Sequence, residues 1–204
     1  MKLFVSPNSI SLACAIALEE AGVTHALHFV DFARQGQQAP DYLAINPKGR
    51  VPALVLDSGT ILTETGAILD FVAAHDPRLM PADPVHAAQA RSVMYYLAST
   101  MHVNHAHKKR GHRWADRADS FADMTAKVPQ TMTDSARFVE DNCLAGPYVL
   151  GPHISIADFY LFPVCTWLPG DGVDLEPFPR IRAFMAEMEA RHSVAVMRAK
   201  GLLT

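Results

Sequence analysis

Hydrophobic positions change their period twice along this chain. Residues 2–5, KLFV, form a short apolar run that stops at Pro7, as a buried strand would. Residues 11–21, SLACAIALEEA, read as a helix with Gly22 as its stop. ALHFVDF at 26–32 predicts a second strand, and the polar stretch 35–49 leaves room for one helical turn. VPALVLD at 51–57, a Ser58-Gly59 turn and TILTE at 60–64 predict strand, turn and strand. GAILDFVAAH at 66–75 predicts a helix ended by Asp76-Pro77.

Past the proline-rich PRLMPADP at 77–84, strand signals all but vanish. Residues 85–110 form one long helical pattern, with Ala90, Met94, Leu97 and Met101 on a stripe of three- and four-residue spacing. A second long helix is predicted over 120–144, bent at Pro129. Ser155-Ile-Ala-Asp158 forms a capping box that opens an apolar helix reaching Leu168, and two further helices follow at 179–192 and 194–203. The order β-α-β-(α)-β-β-α requires a parallel strand pair plus an antiparallel hairpin, which matches an α/β thioredoxin-like sheet. The predicted organisation is therefore a thioredoxin-like domain at 1–78, a linker at 79–84 and an all-α domain at 85–204.

Composition narrows the function classes. The net charge of −3 gives no general drive toward nucleic acid or an anionic membrane. The first 80 residues hold 5 Lys+Arg against 8 Asp+Glu, and the remainder 13 against 13. No apolar stretch approaches the ~20 residues that span a bilayer. Cys14, Cys143 and Cys165 are odd in number and never in a C-x-x-C pair, which argues for a reducing compartment and against a disulfide framework or structural zinc. The expected location is cytoplasmic.

Candidate chemistry gathers at three corners. In SPNSIS, residues 6–11, a strand hands over to a helix with Ser6, Ser9, Ser11 and the Asn8 amide crowded at its mouth. These hydroxyls can cap the helix or serve as hydrogen-bond donors to a ligand. Val51-Pro52 opens a strand. Glu64-Thr65 stands where a strand meets a helix, so Thr65 can cap it and the free N–H groups there suit a carboxylate. In MHVNHAHKKRGHRWADR, residues 101–117, His102 and His105 are one helical turn apart but lack a third ligand, so a metal is not expected. The basic residues of this run, Lys108, Lys109, Arg110, Arg113 and Arg117, can attract an acidic ligand or form a solvated helix end.

Taken together, LAINPKGRVPAL, ILTE, the S-x-A-D box and the final short helix resemble cytosolic glutathione S-transferases over essentially the whole chain, with bacterial beta-class members nearest. The resemblance implies glutathione as co-substrate, a homodimer, and a pocket for a small apolar electrophile under the helical domain. It implies a cis Val51–Pro52 bond, with Val51 and Pro52 facing glutathione's cysteinyl unit, Glu64 facing its amino group and Thr65 its γ-glutamyl carboxylate. His102 is the nearest match to a beta-class histidine that approaches glutathione. Beta-class members carry a cysteine where this chain has Ile10, whereas theta- and delta-like classes use a serine in a P-x-S turn, which Pro7-Asn8-Ser9 matches. Ser9 is thus the expected thiolate donor, Ser11 the second candidate and Asn8 the third. Lowering a thiol pKa from about 8.5 by two units takes roughly 2.7 kcal/mol, within reach of a hydroxyl and a helix end. Tyr95, Tyr96, Trp114, Phe162 and Trp167 are candidate pocket walls, and Cys14 a small buried hydrophobe. The alternatives are a non-enzymatic binding or regulatory protein on this fold and a glutathione-dependent peroxidase or disulfide reductase.

Overall fold

The computed structural model describes residues 1–204. Four strands, β1 (Lys2–Val5), β2 (Ala26–Phe29), β3 (Ala53–Val55) and β4 (Ile61–Thr63), form one sheet in the order β2-β1-β3-β4. β1 runs parallel to β2, pairing Leu3 with Leu27, and antiparallel to β3, pairing Leu3 with Leu54; β3 and β4 form the hairpin. The parallel pair is joined through helix α1 (Ser11–Glu20), the crossover that a parallel connection demands. Helix α2 (Pro40–Leu43) and helix α3 (Thr65–His75) complete this half. The helical half comprises α4 (Pro84–Tyr96), α5 (His102–Arg110), α6 (Ala118–Asn142), α7 (Ile156–Trp167), α8 (Pro179–Glu189) and α9 (His192–Ala199).

The strands are shorter than the hydrophobic runs that predict them. Val30 still donates to the Val5 carbonyl, but the chain then wraps around Asp31, whose carbonyl accepts from Gly36 at 2.7 Å. Val51 and Pro52 lie ahead of β3 instead of inside it, across a cis peptide bond. In the helical half, the expected single helix is divided by a π-helical segment at Leu97–Met101. The extra residue in that turn does not disturb the stripe, since Ala90, Met94, Leu97 and Met101 are all buried. The helix α6 runs through Pro129 unbroken. The final helix closes at Ala199, and Leu202 and Leu203 pack into the core from a coil segment.

Helix α1 explains why the two halves fold as one body. It is buried from Ser11 to Leu18, with no solvent face, because α3, α7 and α9 enclose it. One cluster of 46 buried residues accordingly runs from Leu3 to Leu203 through both halves. Helix α7 starts where Asp158, itself fully buried, accepts hydrogen bonds from Ser155 N–H (2.7 Å), Ser155 O–H (2.9 Å) and Val149 N–H (2.7 Å). Burial pushes the Asp158 carboxyl up to about 6 against the pull of those donors.

Candidate active site

The turn between β1 and α1 is built around one carbonyl. Ser6 O accepts from Ser9 N–H at 3.3 Å, from Ser9 Oγ at 2.7 Å and from Ser11 Oγ at 3.4 Å, while Ser6 N–H donates to Ser11 Oγ at 3.1 Å. Asn8 takes the left-handed conformation, φ 53°, that asparagine tolerates better than most residues. Its backbone is tied by Asn8 N–H to Leu202 O and by the Trp167 indole N–H to Asn8 O, each at 3.0 Å. Its side chain donates to Thr204 Oγ1 and accepts from Thr204 N–H. The Asn8 amide is thus occupied with the end of the chain.

The two candidate serines part company here. Ser11 is fully buried and turned into the protein, whereas Ser9 is half-buried and lines a cavity. Their hydroxyl oxygens are 2.7 Å apart. With one proton each, Ser11 O–H can donate to Ser9 Oγ while Ser9 O–H donates to Ser6 O at 2.7 Å, so the Ser9 proton reaches a ligand in the cavity by turning away from Ser6. Ile10 occupies the N-cap position of α1 and also lines the cavity, and its backbone N–H has no partner in the chain. That backbone donor was not foreseen from the sequence, where Ile10 was read only for what its side chain lacks.

Val51, 8 % exposed, presents a second unsatisfied pair: neither its N–H nor its C=O is hydrogen-bonded within the chain. Buried backbone groups are seldom left so, and an edge of this kind accepts an extended peptide as a strand would. The segment before it is held by Tyr42 O–H and Asn46 Nδ2, which both donate to Arg50 O at 2.6 Å.

The third corner differs from its sequence expectation. Thr65 is the first residue of α3 and does not cap it; Glu64 holds the N-cap position, and its side chain makes no capping bond. The reason is backbone geometry, since Glu64 has φ 71° and ψ 125° and its carboxylate turns out to pair with Lys48. Lys48 also donates to Thr63 Oγ1 at 2.9 Å. The first N–H groups of α3, on Thr65 and Gly66, are therefore unpaired at the positive end of the helix.

All three corners open on one cavity of about 1020 Å³, whose far wall comes from α5 and the end of α7. Such a volume accommodates a tripeptide together with a second small molecule. His102 faces it, its ring edge-on to Trp167 at 5.0 Å. Burial, then the nearby cations led by Arg110, hold the His102 imidazole down at about 3, so it is neutral. His105 stacks on Trp167 at 4.2 Å and bonds Asp171 Oδ2 at 2.6 Å, and His107 turns away to Trp114. No group of three or more ligating side chains converges to hold a metal ion. Cys14 is fully buried away from the cavity, its thiol pushed up by burial.

Among the aromatic candidates, Trp114 and Trp167 line the cavity, whereas Tyr95 is exposed, Tyr96 packs on Phe138 and Phe162 is in the core. Tyr160 lines it and was missed, because one more aromatic in an apolar helix carries no mark. The helical wall is not the apolar surface expected for the electrophile. Lys108, Lys109, Arg110 and Arg113 all face the cavity, and Arg50 joins them from the sheet side.

Comparison with known proteins agrees with this geometry. Residues 9–75 match the model of the glutathione S-transferase N-terminal domain, and residues 125–187 that of the C-terminal domain. A glutathione transferase homologue from Sulfitobacter, solved with bound glutathione, is 60 % identical and superposes with a TM-score of 0.97 over 99 % of this chain and 98 % of that one. The beta-class glutathione S-transferase of Sphingomonas chungbukensis is 31 % identical, with a TM-score of 0.84 over 99 % of this chain and 100 % of its own. Glutathione S-transferase GstA of Escherichia coli O157:H7 is 33 % identical over 99 % of this chain and its own full length. The chain belongs to the glutathione S-transferase family, as a glutathione transferase whose co-substrate is glutathione.

Proposed function

We propose that this transferase conjugates the glutathione thiolate to a small electrophile, with the sulfur held at the SPNSIS turn by Ser9. The observation that carries the reading is the convergence of unpaired backbone groups on one cavity, Val51 N–H and C=O, the first N–H groups of α3 and Ile10 N–H, with the Ser9 hydroxyl beside them. In this reading the cysteinyl backbone of glutathione pairs with Val51 beside Pro52. The γ-glutamyl carboxylate meets Thr65 and the α3 N-terminus, and the ammonium meets Glu64. The thiolate accepts from Ile10 N–H and from Ser9 O–H, which turns to it from the Ser6 carbonyl, while Ser11 O–H donates to Ser9 Oγ. Neutral His102 adds no charge and shapes the wall beside the sulfur.

The chemistry asked of the chain is modest. It lowers the thiol pKa, excludes water and holds two reactants together, so no covalent enzyme intermediate is needed. Bound glutathione in the 60 % identical Sulfitobacter relative supports the first half of this reading. A cytoplasmic homodimer is part of the same proposal. It is supported by three buried, unpaired cysteines, by the open edge of β4, and by exposed Ile61, Val85 and Tyr95.

Titrating the ultraviolet thiolate absorbance of bound glutathione tests the assignment. The wild type should show a thiol pKa about two units below that of free glutathione, and Ser9→Ala should recover a large part of that difference. Calorimetry without heat on adding glutathione would instead favour a non-enzymatic role. Turnover of a hydroperoxide or a mixed disulfide with none of an aryl chloride would favour a peroxidase or reductase.

A further inference from the structure

We infer that the electrophile taken by this enzyme carries a carboxylate, received by Arg110 and Arg113 on the helical wall of the cavity. The inference rests on the conjugation reading and specifies its second substrate.

Charge balance within the cavity leads to it. Six cationic side chains line the cavity, Lys48, Arg50, Lys108, Lys109, Arg110 and Arg113, against two carboxylate side chains, Glu64 and Asp171. Lys48 pairs with Glu64, and Lys108 with Asp171, which His105 also engages. Neither Arg50, Lys109, Arg110 nor Arg113 makes an ion pair anywhere in the chain. Arg110 is half-buried, and burial, then Arg113 and Arg50, holds its guanidinium below the usual range, with Asp171, already paired with Lys108, offsetting only part of this. A cation withdrawn from water beside two like charges is costly unless an anion completes the site.

Glutathione does not supply enough negative charge. As the thiolate it has two carboxylates, one sulfur anion and one ammonium, a net charge of −2 against four unpaired cations. Its ammonium and γ-glutamyl carboxylate belong at Glu64 and Thr65, which leaves one glycyl carboxylate. Arg50, adjoining Val51 on the sheet side, suits that group. Arg110 and Arg113 come from the helical wall, at the end of α5 and in the turn after it, and line the cavity together with Trp114, His102 and Trp167. Two guanidiniums in a cavity that Trp114 and Trp167 also line suit a carboxylate on a small apolar body.

A matched pair of aryl chlorides tests this. In 4-chloro-3-nitrobenzoate and its methyl ester the thiolate sulfur forms a bond to the ring carbon, and chloride leaves with its electron pair. The thiol proton has already gone to solvent. With rates divided by those of the uncatalysed reaction, kcat/KM of the wild type should favour the acid by tenfold or more. The double variant Arg110→Gln, Arg113→Gln should bring the acid-to-ester ratio close to one, chiefly through KM for the acid. Its melting temperature should not fall, because no ion pair is broken. Ester turnover with no preference for the acid overturns the inference and leaves conjugation standing. So does a double variant whose glutathione affinity falls in step with its activity on the acid, since the arginines then serve glutathione. If neither chloride reacts, calorimetry with the two ready-made conjugates decides. Equal affinity for acid and ester conjugates overturns the carboxylate site, and failure to bind glutathione overturns the conjugation reading beneath it.

Discussion

The Trp167 indole N–H donates to the Asn8 carbonyl oxygen at 3.0 Å and so ties the end of α7 to the turn that carries Ser9. The same indole stacks on His105 and meets His102 edge-on. Trp167 thereby couples the helical wall to the left-handed residue that sets the course of the turn. Trp167→Phe keeps much of the packing and removes the bond. It should lower stability by about 0.5–1.5 kcal/mol and weaken glutathione binding severalfold, because Ser9 and Ile10 are then less fixed. Urea unfolding and glutathione calorimetry check this; full affinity at reduced stability would show that the bond serves the fold alone.

Glu64 offers a test in which stability and function should separate. Its φ of 71° lies where a non-glycine residue costs about 1–3 kcal/mol. Glycine adopts that conformation freely but loses about 0.5–1 kcal/mol through unfolded-chain entropy. The exposed pair with Lys48 contributes little. Glu64→Gly should therefore unfold at a urea concentration no lower than the wild type while its glutathione affinity drops tenfold or more. A clear loss of stability would remove the strain argument, and unchanged affinity would remove Glu64 from the site.

How far the sequence reached can be argued from particular residues. The sheet, the hairpin and the buried α1 follow from local apolar runs and their stops, which is information carried within a few neighbouring positions. The strand ends do not, since Val51 and Asp31 leave the sheet for reasons set by turns and not by hydrophobicity. At the site, Val51, Glu64 and Ser9 stand at element junctions and were visible as such. The roles proposed for Ile10 and Arg110 rest on groups that have no partner within the chain. A free backbone N–H has no letter in a sequence, and an unpaired guanidinium reads like any solvated arginine until its neighbours are in place. Thr65 is of a type that can cap a helix, and the backbone at Glu64 places it inside α3 instead.

Asp158 separates architecture from catalysis. It is fully buried, away from the cavity, and accepts three hydrogen bonds that would otherwise be left unmade. Asp158→Ala strands Val149 N–H and Ser155 N–H in the interior and removes the start of α7, at a cost of about 2–5 kcal/mol. The melting temperature should fall markedly, while molecules that remain folded bind glutathione as the wild type does. A selective loss of turnover in a fully stable variant would give Asp158 a chemical role.

His102 makes a prediction about acid. Its imidazole is held at about 3, while the unfolded chain takes up the proton near 6.5. Between those values the unfolded state binds more protons, so stability present above pH 6.5 is lost as pH falls toward 3. From pH 7 to pH 5 this amounts to about 2 kcal/mol. Asp158 acts in the opposite sense, because its folded carboxyl is raised and gains its proton as pH falls through about 6. The two windows overlap, so the net pH profile of the wild type cannot apportion them, but a difference between variants can. His102→Gln keeps a neutral polar side chain on the wall and has no proton to gain. Its stability should fall less than that of the wild type between pH 7 and pH 5, by about 2 kcal/mol. Urea titrations of both proteins at the two pH values give the number directly. Parallel losses in the two proteins would mean that His102 titrates normally and that the cavity wall is wetter than its packing against Trp167 implies.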